Sequence, residues 1–301
     1  MVSLILSLII TTFFGQSSQP SLSVKKNNEP IKINQISLGI KTTAKSIVVI
    51  DEKSGQVLFA KNPDQVLPIA SITKLMSVLV FLDHNPGWDK EVEIKEEDKI
   101  TAGRLYLGRG EKVTVRNLFY SALVSSTNQS VLALSRSTNL AKEQFVEKMN
   151  QKAKELGMSK TTFTEPTGLD PQNQSTVLDL IKLLNEALKK DEIKKALTSK
   201  TYTFKTFNHR QQTITVVNTD RLLDSFLNDS KSGYKILGAK TGSLVEAGYC
   251  FAVKLKKENQ PITIVSLGSA TSFDRFQEIK GLASWIYENY QWPKEGYSNL
   301  N

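Results

Sequence analysis

Ser71 and Lys74 stand three residues apart in Pro68-Ile69-Ala70-Ser71-Ile72-Thr73-Lys74-Leu75-Met76, a turn that feeds an apolar run. If a helix begins near Ser71, both side chains lie on one face, close enough for an amine to take a proton from a hydroxyl. The chemistry this allows is nucleophilic, an alcohol made reactive by a neighbouring base. Alone, the pattern is short, and such a serine is most often an N-cap with a solvated lysine one turn on. The other usual bases are scarce. The two histidines are His84, in the turn-like Asp83-His84-Asn85-Pro86-Gly87, and His209, in the polar Asn208-His209-Arg210. Neither has a partner motif, which disfavours Ser-His-Asp chemistry and a multi-histidine metal centre. The single cysteine, Cys250, excludes an intrachain disulfide and a thiolate metal site, and within Tyr249-Cys250-Phe251-Ala252-Val253 it reads as a small buried hydrophobe. No metal and no cofactor are expected.

The elements that must hold these groups follow from periodicity. Ser46–Asp51 and Gln56–Ala60 are β-type runs joined across Glu52-Lys53-Ser54-Gly55, a hairpin. The helix from about Ser71 runs through Val78-Leu79-Val80-Phe81 with few charges, so it is buried on most sides and holds its first turn rigidly; it stops at Asn85-Pro86-Gly87. From about Trp88 to Ser199 the pattern is largely helical, with runs at Val115–Leu123, Val131–Leu134, Phe145–Leu156 and Leu178–Leu188. A Pro/Gly loop, Phe163-Thr164-Glu165-Pro166-Thr167-Gly168-Leu169-Asp170, interrupts them. Strands are expected at Thr213–Val217, Ile236–Thr241, Ala247–Leu255 and Ile262–Leu267. A last helix, from about Phe273 to Tyr290, carries Phe276, Ile279, Leu282, Trp285 and Ile286 on one face. Sheet, helices and sheet again describe an α/β body whose two parts flank a helical insertion at about residues 85–199.

The length of 301 residues gives ample material for a core, and the composition is that of a soluble globular protein. The net charge of +9 suits an anionic partner, although most of the lysines are expected to be solvated surface. Without Arg/aromatic interleaving or a zinc-ligand cluster, nucleic acid is not expected. Val2 to Phe14 is apolar and too short for a confident membrane span, so residues 1–15 are read as a signal peptide or N-terminal anchor. No Lys or Arg precedes the run and no A-x-A site follows it. Residues 16–42, rich in Ser, Asn, Gln and Lys, read as a linker, residues 43–292 as one catalytic domain and residues 293–301 as a tail. The expectation is an exported protein that works outside the cytoplasm, with membrane attachment, if any, through the N-terminal segment.

Two further motifs change the standing of Ser71 and Lys74. Lys240-Thr241-Gly242 ends an apolar strand and is followed by Ser243, while Ser126-Thr127-Asn128 lies between two helical runs. A second copy, Ser137-Thr138-Asn139, falls where a helix frays, whereas Ser126 follows the Leu118–Leu123 helix and has apolar turns on both sides. S-x-x-K, S-x-N and K-T-G, in this order and in these elements, resemble the three motifs of the penicillin-recognising serine enzymes. Between them, Thr101-Ala102-Gly103-Arg104, Gly110-Glu111-Lys112-Val113-Thr114-Val115, Glu165-Pro166-Thr167-Gly168-Leu169-Asp170 and Ala247-Gly248-Tyr249 look like the D-alanyl-D-alanine carboxypeptidases, low-molecular-mass penicillin-binding proteins. The resemblance covers roughly Ser46 to Tyr290.

That resemblance implies a β-lactamase/transpeptidase-like fold, an antiparallel sheet flanked by helices with an inserted helical subdomain. It implies removal of the terminal D-alanine from peptidoglycan stem peptides ending in D-Ala-D-Ala, with β-lactams as covalent inhibitors. Ser71 would be the nucleophile and Lys74 its base, made neutral by partial burial and by Lys240 as a second cation. Ser126 would relay the proton to the leaving amine, and Asn128 would hold the substrate amide or the Lys74 amine. The backbone N–H groups of Ser71 and Ser243 would form an oxyanion hole, each donor contributing about 3–4 kcal/mol of barrier lowering. Lys240, Thr241 and Arg275, with Gly242 and Ser243 on the same strand, would bind the substrate and its terminal carboxylate.

Three positions depart from the family pattern: Gln129 in place of an acid after the motif asparagine, Glu165 in place of Asn before Pro166, and Leu244 in place of Thr. Each could alter rate or substrate choice without removing the nucleophile or base. The same residues would serve a DD-endopeptidase of cross-links. A serine β-lactamase needs a deacylating Glu in E-x-x-L-N, and here Leu169 is four residues after Glu165 and Asp170 stands in place of the Asn. A non-catalytic wall-binding or penicillin-binding module would not need the intact Ser71, Lys74, Ser126, Asn128 and Lys240 set.

Overall fold

The structure, a computed structural model, describes residues 29–99, 105–207 and 211–293. The expected leader, the first part of the linker, His209, Thr101-Ala102-Gly103-Arg104 and nearly all of the tail lie outside the described residues.

Five strands form one antiparallel sheet: β1 (Ser46–Asp51), β2 (Val57–Lys61), β3 (Tyr234–Leu244), β4 (Gly248–Lys257) and β5 (Gln260–Ser269), in the order β3-β4-β5-β1-β2. Their apolar residues alternate between two faces, as a pleated strand requires. Ile47, Val49, Phe251, Val253, Ile262 and Ile264 pack on one face with Phe276, Ile279, Leu282 and Ile286 of α7 (Ser272–Asn289). Val48, Cys250, Ala252, Val265 and Leu267 join the core on the other face with the remaining helices. Cys250 is buried there, as its apolar neighbours imply. The result is a mixed fold, an antiparallel sheet between helices, as the sequence pattern implies.

The second face carries α1 (Lys74–Asp83), α2 (Val115–Val124), α3 (Asn128–Ser137), α4 (Lys142–Glu155), α5 (Val177–Leu188) and α6 (Asp191–Thr198). Every residue of α1 from Lys74 to Phe81 is buried, because a helix apolar on all sides must be enclosed. Thr114, Thr176 and Thr271 cap α2, α5 and α7 by accepting from the backbone N–H three residues on. α5 lies against β1, β4 and β5 and couples the helical region to the sheet.

Local differences from the sequence expectation have local causes. Ser71 is not in an α-helix: Ala70–Thr73 form a 3-10 turn and α1 starts at Lys74. The strand at Thr213–Val217 pairs with Thr201–Lys205 in a separate hairpin, and Glu91–Glu93 pairs with Lys112–Thr114 inside the helical stretch. Within the polar segment before residue 43, Ile31–Lys32 pairs with Tyr290–Gln291, and Trp285 Nε1 donates to Ser37 Oγ at 2.6 Å.

Candidate active site

Three elements meet at Ser71: its own 3-10 turn, the link between α2 and α3, and the edge strand β3. In a 3-10 turn residues three apart eclipse, which brings Lys74 Nζ to 2.7 Å from Ser71 Oγ. Ser71 is partly exposed and Lys74 is fully buried. The same nitrogen donates to Asn128 Oδ1 at 2.6 Å and to the Thr167 carbonyl at 2.5 Å. A neutral amine has two N–H bonds and one lone pair. With both N–H bonds on fixed acceptors, the lone pair is left for the Ser71 hydroxyl. Burial pushes the Lys74 ammonium down to about 7 from an ordinary 10.5, against the opposing pull of the Glu165 carboxylate.

Across the site Lys240, 1% exposed, donates to Ser126 Oγ at 2.7 Å and to the Thr241 carbonyl at 3.0 Å. Its ammonium is also pushed well below the ordinary range, first by burial, then by Lys74 and Arg275. Lys74 is thus a cause of the Lys240 shift, whereas the Lys74 shift comes from burial alone, opposed by Glu165.

The backbone here is strained where it turns. Ala70, just before Ser71, has φ +47°, and Ser126 has φ +59°, left-handed values that cost non-glycine residues about 1–3 kcal/mol. Two glycines allow the turn to be gripped closely. A Cβ on Gly168 would lie 2.1 Å from the Ala70 carbonyl oxygen and 2.9 Å from Ser71 N, and one on Gly242 would lie 2.8 Å from the Ile69 carbonyl oxygen. The turn is thus clamped between the 163–173 loop and β3. Ser77 Oγ donates to the Pro166 carbonyl at 2.6 Å and Ile69 N to the Asn173 carbonyl at 3.0 Å, which tie the loop to α1 and to the turn.

Every expected site residue falls in this region, but not all in the expected posture. Thr241 Oγ1 donates to Thr219 Oγ1 at 2.7 Å, and Ser243 is exposed on the same strand. Arg275 is buried, with Nη1 on the carbonyls of Gly242 at 2.9 Å and Cys250 at 3.3 Å, and its guanidinium lies over the Phe276 and Tyr249 rings. Burial lowers it to about 10. It braces the back of β3, and Nε is left without a partner. The second motif copy is remote in role: Ser137 Oγ bonds back to the Leu134 carbonyl at the end of α3.

Sequence reasoning missed Thr219 and Asp220. Asp220 is buried, acts electrostatically on Lys240 and Arg275, and is pushed up to about 6 chiefly by burial. One carboxylate oxygen caps Leu222 N at 2.8 Å and the other has no partner. Of the departures, Gln129 is buried and donates to the Leu107 carbonyl, Leu244 ends β3, and the Glu165 carboxylate accepts from Thr167 N, Thr167 Oγ1, Leu169 N and Asn173 Nδ2 at 2.6–2.9 Å.

Residues 32–271 match the family described as D-alanyl-D-alanine carboxypeptidase. The chain is 30% identical over 288 residues to a D-alanyl-D-alanine endopeptidase of Pseudomonas aeruginosa, covering 95% of this chain and 87% of the relative. It is 31% identical to the D-alanyl-D-alanine carboxypeptidase DacF of Bacillus subtilis, covering 82% of this chain and 63% of the relative. The crystal structure of the Streptomyces K15 DD-transpeptidase superposes with a TM-score of 0.74 at 26% identity, over 84% of this chain and all of that one. Penicillin-binding protein D2 from Listeria monocytogenes, in its ampicillin-bound form, gives 0.70 at 29% identity, over 83% of this chain and all of that one.

Proposed function

The chain belongs to the D-alanyl-D-alanine carboxypeptidase family, and from that premise we propose that Ser71 and Lys74 carry out its serine-type hydrolysis of D-alanyl-D-alanine stem peptides. Ser71 Oγ attacks the carbonyl between the two D-alanines while its proton passes to the Lys74 lone pair. The tetrahedral oxyanion is received by the backbone N–H groups of Ser71 and Ser243. Ser126, hydrogen-bonded to Lys240, hands its proton to the leaving nitrogen and takes the proton held by Lys74 in its place, which returns Lys74 to the neutral amine; the C–N bond breaks, D-alanine departs and the acyl group remains on Ser71. Water, deprotonated by Lys74, then cleaves the ester and restores the serine. Lys240 and Thr241 bind the terminal carboxylate and Asn128 holds the substrate amide, while Arg275 fixes β3 from behind. β-Lactams stop the cycle at the acyl-enzyme.

The observation that carries this reading is the Lys74 nitrogen, with its two N–H bonds spent and its third direction on Ser71 Oγ. A second reading, cleavage of D-alanyl cross-links, is favoured by the match to the P. aeruginosa endopeptidase over 87% of that protein's length. A β-lactamase is disfavoured because the Glu165 carboxylate is occupied by N–H groups of its own loop. Export through the apolar run Val2–Phe14 and attachment there belong to the same proposal; among the described residues no helix is long and apolar enough to cross a membrane.

A fluorescent-penicillin gel of wild type and Ser71→Ala, followed by release of free D-alanine from a stem pentapeptide, tests the proposal. Ser71-dependent label with D-alanine release is expected. Absence of such label refutes the acyl-enzyme, and label with cleavage of cross-linked dimers alone selects the endopeptidase.

A further inference from the structure

Glu165 stands where the family pattern has an asparagine, and its carboxylate does more than a turn requires. It accepts from Thr167 N at 2.7 Å, Thr167 Oγ1 at 2.6 Å, Gly168 N at 2.5 Å, Leu169 N at 2.9 Å and Asn173 Nδ2 at 2.7 Å. All of these partners are donors. Thr167 and Gly168 are also the residues that touch the catalytic turn: the Thr167 carbonyl takes a Lys74 N–H bond, and Gly168 packs on the Ala70 carbonyl and Ser71 N. The carboxylate and the Lys74 amine thus lie at opposite ends of one residue, Thr167. An asparagine could satisfy part of this donor set, but it would bring no charge.

We propose that Glu165 is a positioning residue with two effects: it ties the 163–173 loop across the Ser71 turn, and its charge holds Lys74 closer to the ammonium form than burial alone would. The loop sets where the base sits, and the charge sets the pH at which the base becomes available. On β3 the nearby charged group is Lys240, on which Lys74 itself acts, together with Arg275 on α7 and Asp220 after the 213–217 strand. α3 presents only the uncharged Asn128 to the amine. Glu165 is therefore the one carboxylate among the described residues that acts directly on Lys74, and removing its charge leaves the effect of burial unopposed.

This inference rests on the acyl-enzyme reading above, and the test separates the two. The second-order rate of Ser71 acylation by benzylpenicillin is measured on the full chain from pH 4.5 to 9 for wild type, Glu165→Gln and Glu165→Asp. A merely structural carboxylate lowers the rate equally at every pH. The charge moves the acid limb. For Glu165→Gln the limb should shift to lower pH by about half a unit, so that at pH 6 the variant retains about threefold more of its own plateau rate than wild type does. Glu165→Asp, which keeps the charge on a shorter stem, should lower the plateau and leave the limb in place. Should Glu165→Gln not melt cooperatively, Glu165→Asn repeats the comparison. Coincident limbs for the neutral variant and wild type overturn the proposal, as does an equal shift in Glu165→Asp or a fold that only Glu165→Asp retains. A wild type that takes no label at Ser71 refutes the acyl-enzyme reading instead.

Discussion

Replacing Lys74 by methionine should stabilise the protein most at neutral and acidic pH while abolishing acylation. The cation titrates at about 7 in the fold against 10.5 for an ordinary lysine, chiefly through burial. Each unit is worth about 1.4 kcal/mol, so the buried ammonium costs the native state about 5 kcal/mol once it is fully formed. Because the folded value is depressed, the cost is absent above the unfolded value of about 10.5, grows as pH falls and is complete below about 7. Between pH 9.5 and pH 6.5 the advantage of Lys74→Met over wild type should therefore grow by about 3 kcal/mol. Asn128 Oδ1 and the Thr167 carbonyl lose a donor in the variant, at about 1–3 kcal/mol each. That loss is the same at both pH values and drops out of the difference. Release of Lys240 from repulsion by Lys74 acts in the same direction as the predicted change. Urea unfolding of both proteins at the two pH values, analysed by linear extrapolation, gives the four free energies required. A variant-minus-wild-type difference that stays constant to within about 1 kcal/mol would show that Lys74 ionises in the fold like an exposed lysine. It could then not be the base at neutral pH.

Gly168→Ala should slow penicillin acylation by about 100-fold or more and lower the melting temperature, because the new Cβ would sit 2.1 Å from the Ala70 carbonyl oxygen at a φ of +86°. A wild-type acylation rate would show that the turn is not clamped as described. Asp220→Asn should be stabilising by about 3 kcal/mol at pH 8 but by less than about 1 kcal/mol near pH 4, since a carboxyl raised from 3.8 to about 6 favours the fold only while protonated. Denaturant unfolding at the two pH values checks it, and equal shifts at both would refute the assignment of burial as the cause.

The parts of the site that were legible in the sequence are those that depend on residue type. Ser71, Lys74, Ser126, Asn128 and Lys240 each carry a polar side chain within a recognisable element, and hydrogen bonds join Lys74 to Ser71 and Asn128 and Lys240 to Ser126. The copy of the S-T-N pattern that meets Lys74 and Lys240 could be chosen because Ser126 lies in a link between two buried helices, whereas Ser137 closes one. The Thr167 carbonyl was not legible, since any residue has a carbonyl and its aim depends on the loop. Nor were the left-handed Ala70 and Ser126, because alanine and serine give no signal of positive φ. Whether a three-residue spacing sits in an α-helix or a 3-10 turn also lies below the resolution of periodicity, and here the tighter turn sets the Ser71–Lys74 distance. Arg275 was expected to face the substrate from its place near the start of the last helix, but Nη1 reaches the β3 and β4 carbonyls instead.

These failures of local preference concentrate around one atom, and that concentration bears on function. Lys74 opens α1, where the helix dipole disfavours a cation, and it is fully buried. Its hydrogen bonds go to an amide oxygen, a backbone carbonyl and a hydroxyl, with no carboxylate among them. A second buried lysine repels it, and strained residues flank it on the turn and on the α2–α3 link. A lysine serving only to stabilise the fold would gain from an ion pair or from exposed solvation, and this one has neither. Under the proposed function, what the arrangement secures is an amine readily made neutral, with its lone pair on a partly exposed serine. In a chain with two histidines, His84 in a surface turn after α1 and His209 outside the described residues, this is how a base near neutrality is made: by removing water from a strong one rather than by choosing a weak one.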